Sequence, residues 1–325
     1  MTPEEYQLLI RLESIFVPNA RARRDALYNN GERARFVHYT SAEAALSIIK
    51  TKRIWMRNTT CMSDYREVSH GYDLLKTFFS DTTNKANFIG ALDSCSSNVG
   101  QEALELFGQW WLDIQCNSYI ASISEHSDTE DIHGRLSMWR AYGGNSARVA
   151  IVFSVPWYSG ASAALNVMFS PVAYLNQDQV YNEINAVISN VQNNREFLSS
   201  VDRSMLLARV FNMLVAGVTC LKHEGFGEEL EWRILYAPKR WPSPLIKHET
   251  EIIGGIPQVV YKLPLDAAVS DTLAELDISR LFDRLIIGPS QFPLAQRDAF
   301  IDALEKAGIP DAGKRVFNSS IPIRT

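Results

Sequence analysis

Apolar residues recur at helical spacing through Leu8, Leu9, Leu12, Ile15 and Phe16, so residues 3–30 read as a helix broken near Pro18. A short strand is expected at 35–39, and a helix after it, opened by Thr40 with Glu43 three residues on and burying Ala44, Ala45, Ile48 and Ile49. A second short strand follows at 54–56, and helices are expected over about 64–80 and much of 84–116. Residues 119–124 read as a strand running into a polar loop at 125–134. A short helix at 136–142 ends at Gly143-Gly144. The nearly continuous apolar run 149–153 marks a central strand. Two helices are expected over 178–222, strands at 230–236, 258–263 and 285–287, a helix at 294–306 and a last strand at 315–317.

Strands thus come in irregular clusters separated by helix pairs. The pattern predicts an α+β fold with a mixed or antiparallel sheet rather than a doubly wound one. Residues 1–34 form a helical arm. Residues 35–325 form one domain, with helical insertions at about 64–116 and 178–222.

The chain has 325 residues, 46% of them hydrophobic and 21% charged, which is ordinary for a globular protein. Its net charge of −5 gives no general attraction to nucleic acid or anionic membrane. A local exception is the cluster Arg21, Arg23, Arg24, Arg33 and Arg35, either a solvated helix face or an RNA-binding patch. Cys61, Cys95, Cys116 and Cys220 are scattered, without a CxxC pair, which argues against a zinc site and fits small apolar fillers in a reducing compartment. The longest apolar stretch, 206–221, is interrupted by Arg209 and Asn212 and too short to span a bilayer. With no signal pattern at the start, the expected location is the cytoplasm.

Four segments could carry chemistry. His38-Tyr39-Thr40 lies where a strand meets a helix start, a common ligand position, although, taken alone, a core histidine bonded to backbone is the better reading. Asp64, with Glu67 three residues on, suits a helix cap. Ser122 and Ser124 end a strand, and Trp139 and Tyr142 follow beside two glycines. Together they could wall a flat-ligand pocket, with Trp139 the more core-like of the two. On a strand, Glu229, Glu231 and Arg233 would share one face, with Leu230, Trp232 and Ile234 on the other. No GxGxxG, P-loop, HExxH or GxSxG pattern is present, which disfavours Rossmann dehydrogenases, P-loop NTPases, zincins and α/β-hydrolases.

In this order, His38-Tyr39-Thr40, Ile54-Trp55, Asp64 with Glu67, Ser122 with Ser124, Trp139 with Tyr142, Glu229 with Glu231 and Ile287-Gly288-Pro289 resemble an uncharacterised bacterial domain family. Ser63 departs from its pattern, which has Asn there. The layout is similar to that of ADP-ribosyltransferases, and the resemblance implies a split mixed sheet and NAD as substrate. It further implies that His38 holds the ribose with Tyr39 and Thr40 beside it, Tyr142 stacks on nicotinamide and Glu231 is the catalytic carboxylate. Glu229 would prepare the acceptor, Arg233 would orient the pair or meet a phosphate, and Ser122 and Ser124 would line the site. Such a protein would be a bacterial toxin or anti-phage effector that modifies RNA or protein, with an antitoxin as a further partner. The rivals are an NAD glycohydrolase and a non-catalytic nucleotide- or partner-binding module. All of these enzyme readings expect His38 and Glu231 to face a single cleft.

Overall fold

The computed structural model describes residues 2–28, 32–62, 67–141, 147–157 and 160–322. The chain opens with α1 (Pro3–Phe16), where the Glu5 backbone N–H donates to the Thr2 hydroxyl and the Thr2 N–H to the Glu5 carboxylate, and continues into α2 (Pro18–Tyr28). Then come β1 (Arg33–Ser41), α3 (Ala42–Thr51), β2 (Arg53–Asn58), α4 (Glu67–Ser80), α5 (Thr82–Asp93), α6 (Val99–Cys116), β3 (Tyr119–Glu125), α7 (Leu136–Ala141), β4 (Arg148–Pro156) and α8 (Ala161–Leu165). The order continues through β5 (Met168–Pro171), β6 (Ala173–Tyr174), α9 (Gln177–Asn193), α10 (Arg195–Ser200), α11 (Arg203–Thr219), β7 (Leu221–Lys222) and β8 (Glu231–Tyr236). It closes with β9 (Lys247–Ile253), β10 (Ile256–Pro264), α12 (Ile278–Leu281), β11 (Phe282–Ile287), α13 (Pro293–Lys306) and β12 (Val316–Asn318).

The expected α+β fold with a mixed, mostly antiparallel sheet is present. Along one path the strands run β12-β11-β4-β1-β3-β2-β10-β9, and only β11 and β12 in it are parallel. β3 is the branch point. One of its edges pairs with β8 from Tyr119 to Ser124, and β5 pairs with the far side of β8. Its other edge is shared, with β2 at Ile120 and Tyr119 and β1 at Ser124 and Glu125. Between those contacts β1 and β2 diverge, so the sheet forks around residues 121–123 of β3.

Several boundaries differ from the sequence reading for local reasons. β1 runs on through Thr40, because β4 pairs with it along its full length. The helix cap therefore moves to Ser41, whose hydroxyl accepts from the Ala44 N–H. β9 was not anticipated, because Lys247-His248-Glu249-Thr250-Glu251 carries no buried alternation at the sheet edge. β5 is short and ends in proline, which hides it equally well. Asp64 lies outside the described residues, and α4 begins at Glu67. Cys95 and Cys220 are buried as expected, but Cys61 and Cys116 are exposed.

The arm and the two insertions form one helical body. Leu12, Ile15 and Phe16 of α1 share a core with Phe78, Phe88, Val99, Val191 and Val210. A second cluster joins α11 to the sheet, where Leu214, Val215 and Val218 meet Ile120 and Leu235. The arginine cluster is spent internally. Arg24 donates to the Phe169 carbonyl (2.5 Å) and Arg23 to the Val172 carbonyl (2.8 Å) and to Glu125 (2.7 Å). Arg21 pairs with Asp25 and Glu13, Arg33 bonds Ser154, and Arg35 is held by Asp128, Asp131 and Asp283. The basic patch that favoured RNA is thus a set of clamps fastening the arm and loops to the sheet.

On the face of β1 that carries Val37 and Tyr39, Trp139 is buried edge-on to the Tyr39 ring (centroids 5.0 Å apart) and donates from Nε1 to the His133 carbonyl. Gly134 and Gly288 close on its ring from two sides, so that a Cβ on Gly288 would sit 3.0 Å from Trp139 and 3.1 Å from the Arg148 carbonyl. Gly288→Ala is therefore expected to cost about 1–3 kcal/mol through overpacking, read as a lower urea midpoint with unchanged slope. On the opposite face Trp232 is fully buried against Phe36 and Phe169, and its Nε1 donates to Glu125. Trp232→Ala should cost about 3–5 kcal/mol in the same measurement.

Candidate functional site

The fork sets the site. In an antiparallel ladder successive residues point their backbone groups to alternate edges. The Glu125 N–H donates to Leu230 on the β8 side, so the Ser122 carbonyl points into the fork. There the His38 Nδ1 meets it at 2.9 Å. A carbonyl only accepts, so Nδ1 carries the proton and a neutral ring keeps Nε2 as an acceptor. Burial pushes the His38 pKa down, against the opposing pull of that hydrogen bond, and the ring is neutral at neutral pH.

Side-chain alternation then decides which residues meet. Ser124 lies opposite both Val37 and Glu231, and Ser122 opposite Arg233, so these five share one face. His38 lies opposite Ile151, on the other face. The expectation that His38 and Glu231 face a single cleft is therefore corrected. The two are joined through one residue instead, Ser122, whose carbonyl accepts from His38 and whose hydroxyl donates to Glu231 Oε1 at 2.5 Å.

Glu231 is 6% exposed and Arg233 2%. The guanidinium grips the carboxylate with two prongs, Nε to Oε1 at 2.9 Å and Nη2 to Oε2 at 3.1 Å, and its Nη1 donates to the Thr219 carbonyl. Lys222 Nζ stands 3.8 Å from Oε2. Burial by itself would raise the Glu231 pKa, but Arg233, Lys222 and the Ser122 hydroxyl outweigh it and hold the carboxyl below its usual range. Glu231 is ionised, and Oε2 is its less engaged oxygen.

Glu229 does not extend this strand face. It ends a short 3-10 turn, Glu224–Glu229, and Leu230 adopts φ 47°, the left-handed region, before β8 begins. That turn breaks the alternation, and it leaves Leu230 half-buried rather than in the core beside Trp232. Glu229 still reaches the site, since Lys222 Nζ bonds it at 2.8 Å and so bridges the two carboxylates.

Of the remaining candidates, Tyr39 is buried and its hydroxyl accepts from the Arg135 N–H. Burial lifts its pKa to about 12, and its ring packs against Trp139. Thr40 is a half-buried strand residue opposite Val149. Ser124 is buried on the Glu231 face. Tyr142 lies outside the described residues.

Three contributors were not foreseen. Lys222 carries the link between the carboxylates. The Tyr174 hydroxyl accepts from the Glu231 N–H at 2.8 Å. Arg135 donates to the Glu228 and Glu229 carbonyls and to Glu130, tying the loop after β3 to the turn before β8. Their one signal in the sequence was Lys222, a cation directly after a long apolar run.

Residues 138–234 match the model of a family described as a protein of unknown function, DUF2971. The matched segment runs from α7 through β8, so it holds Trp139, Lys222, Glu231 and Arg233 but neither His38 nor Ser122. No curated protein and no solved structure matches the chain. Among the described residues, no helix is long and apolar enough to cross a membrane.

The half-buried imidazole has a pH consequence. The unfolded chain takes up a proton on His38 near the ordinary value of 6.5, while the folded chain does so only at lower pH. Stability conferred by the neutral ring is therefore complete above that value and is lost as pH falls through and below it. The melting temperature should drop more steeply below pH 6.5 for the native chain than for His38→Asn, and parallel curves would refute the assignment.

Proposed function

We propose that the protein is an NAD-consuming ADP-ribosyltransferase whose catalytic carboxylate is Glu231. The observation that carries this reading is the ionised, hydroxyl-bonded carboxylate beside the fork of a split sheet, the arrangement that the resemblance to ADP-ribosyltransferases implies. Cleavage of the nicotinamide–ribose bond gives the bonding pair to nicotinamide and leaves positive charge on the ribose, as in glycoside hydrolysis. A fixed carboxylate that accepts from the 2′-hydroxyl lowers that barrier, and it does so most where water is excluded. Oε2 of Glu231 is the oxygen for this bond, with Ser122 and Arg233 holding the group in place. Glu229 takes the proton of the attacking acceptor group, and Lys222 couples it to Glu231. Tyr142 keeps the nicotinamide-stacking role that the resemblance implies. His38 acts in this reading as a positioning residue that fixes Ser122, not as a ribose ligand.

With its arginines engaged in the fold, the 21–35 cluster no longer favours an RNA acceptor, and a protein acceptor suits the acidic chain at least as well. Toxin or anti-phage activity, and an antitoxin partner, belong to the same proposal. Two observations favour a second reading, a non-catalytic nucleotide- or partner-binding module: His38 and Glu231 lie on opposite faces of the sheet, and Arg233 and Ser122 already engage most of the Glu231 carboxylate, as in a structural ion pair.

Incubation with NAD and quantification of free nicotinamide separates the two. Turnover is expected in the native chain and a loss of at least about a hundredfold in Glu231→Gln, the scale of one electrostatic catalytic group. Because this change also leaves Arg233 buried beside a neutral partner, which costs stability, the comparison is made below the melting temperature of both proteins. Glu229→Gln should retain nicotinamide release while losing transfer to the acceptor. NAD binding without nicotinamide release in the native chain would replace this reading with the module.

A further inference from the structure

A cavity of about 520 Å³ runs along the outer edge of β5, chiefly on the face of the sheet opposite Glu231, where Ile123, Phe153 and Ile234 line it. Its walls are mainly apolar, with Leu9 and Ile10 of α1 facing Ile123, Phe153 and Ile234 of the sheet. One wall differs. Arg209, Asn212, Met213 and Ala216 of α11 all line it, and their spacing of three, one and three residues makes them one helical stripe. Arg209 and Asn212 are the two polar residues that interrupt the apolar run 206–221.

Both side chains are half-buried, and neither has a hydrogen-bond partner among the described residues. The opposing charge that acts on Arg209 is Glu13, whose carboxylate is already 3.4 Å from the Arg21 guanidinium. Among the charged lining residues three are cationic, Arg21, Arg24 and Arg209, against Glu13 alone. A polar pair inside an otherwise apolar helix is costly unless something satisfies it. The volume lies in the range of small-molecule sites, which are typically apolar with a few convergent polar groups.

We propose that this cavity binds a single-chain amphiphile with a carboxylate head, such as a medium-chain fatty acid. The head accepts from the Arg209 guanidinium and the Asn212 amide, and the chain lies between α1 and the Ile123–Ile234 face. The arm is then one wall of a ligand site as well as a clamp on the sheet, and the site is independent of any chemistry at Glu231.

Calorimetric titration of the full chain with dodecanoate below its micellar concentration, with dodecanol as the uncharged control, tests this. Dodecanoate should bind the native chain about tenfold more tightly than dodecanol and raise its melting temperature. Arg209→Gln should weaken dodecanoate about tenfold, equivalent to about 1.4 kcal/mol, and leave dodecanol unchanged. Ala216→Phe, which fills the cavity from the same stripe, should abolish binding of both. Absence of dodecanoate binding to the native chain overturns the proposal. So does full binding by Ala216→Phe, a result that stands even if Arg209→Gln fails to fold. Equal dodecanoate affinity in native chain and Arg209→Gln would remove the carboxylate from the assignment and overturn it in that form.

Discussion

β3 has two edges and three neighbours, and the fold is organised around that excess. β8 occupies one edge fully. β1 and β2 divide the other and part in the middle, which leaves the Ser122 backbone facing a gap where no strand pairs with it. An orphaned carbonyl inside a protein is costly, and the His38 ring supplies the missing donor. The same residue sends its hydroxyl to Glu231 on the other face. A single serine thus anchors a neutral imidazole on one side of the sheet and an ionised carboxylate on the other.

The carboxylate survives burial because its partners are as rigid as it is. Arg233 stands two residues along the same strand, so its fork and the Glu231 oxygens are on one face by alternation alone. Lys222 enters from a separate two-residue strand and reaches Glu229 as well, which lies beyond the Leu230 kink. Charge is balanced locally, two cations against two carboxylates. This suits a site that must hold a negative charge steady, and it explains why little of either acidic group needs solvent.

Much of the remaining pattern is packing. Tyr39, Trp139 and Gly288 come from three distant segments, and they converge because Trp139 needs a wall without side chains on two of its sides. The arginines of the arm serve the edge of the sheet. Arg23 and Arg24 donate to carbonyls at Phe169 and Val172, groups that an edge strand would otherwise present to solvent or to another chain.

The sequence by itself determined the elements whose signal is local. α1 with its Pro18 break, the central strand β4, the terminal helix α13 and the α+β class were legible, because hydrophobic period and caps act within a few residues. Glu231 and Arg233 were legible as a pair for the same reason, since alternation on one strand groups them without reference to the rest of the chain, and Ser122 was legible as a polar position on its own strand. Tertiary structure alone decided what those positions meet. Whether His38 shares a face with Glu231 depends on the register between β1 and β3, which is set by contacts nearly ninety residues apart in sequence (Val37 with Ser124). Whether Glu229 belongs to the strand depends on one left-handed residue, and leucine gives no warning of it. Whether the arginines form a free basic surface depends on where the arm docks, because charge is written in the sequence and its partners are not.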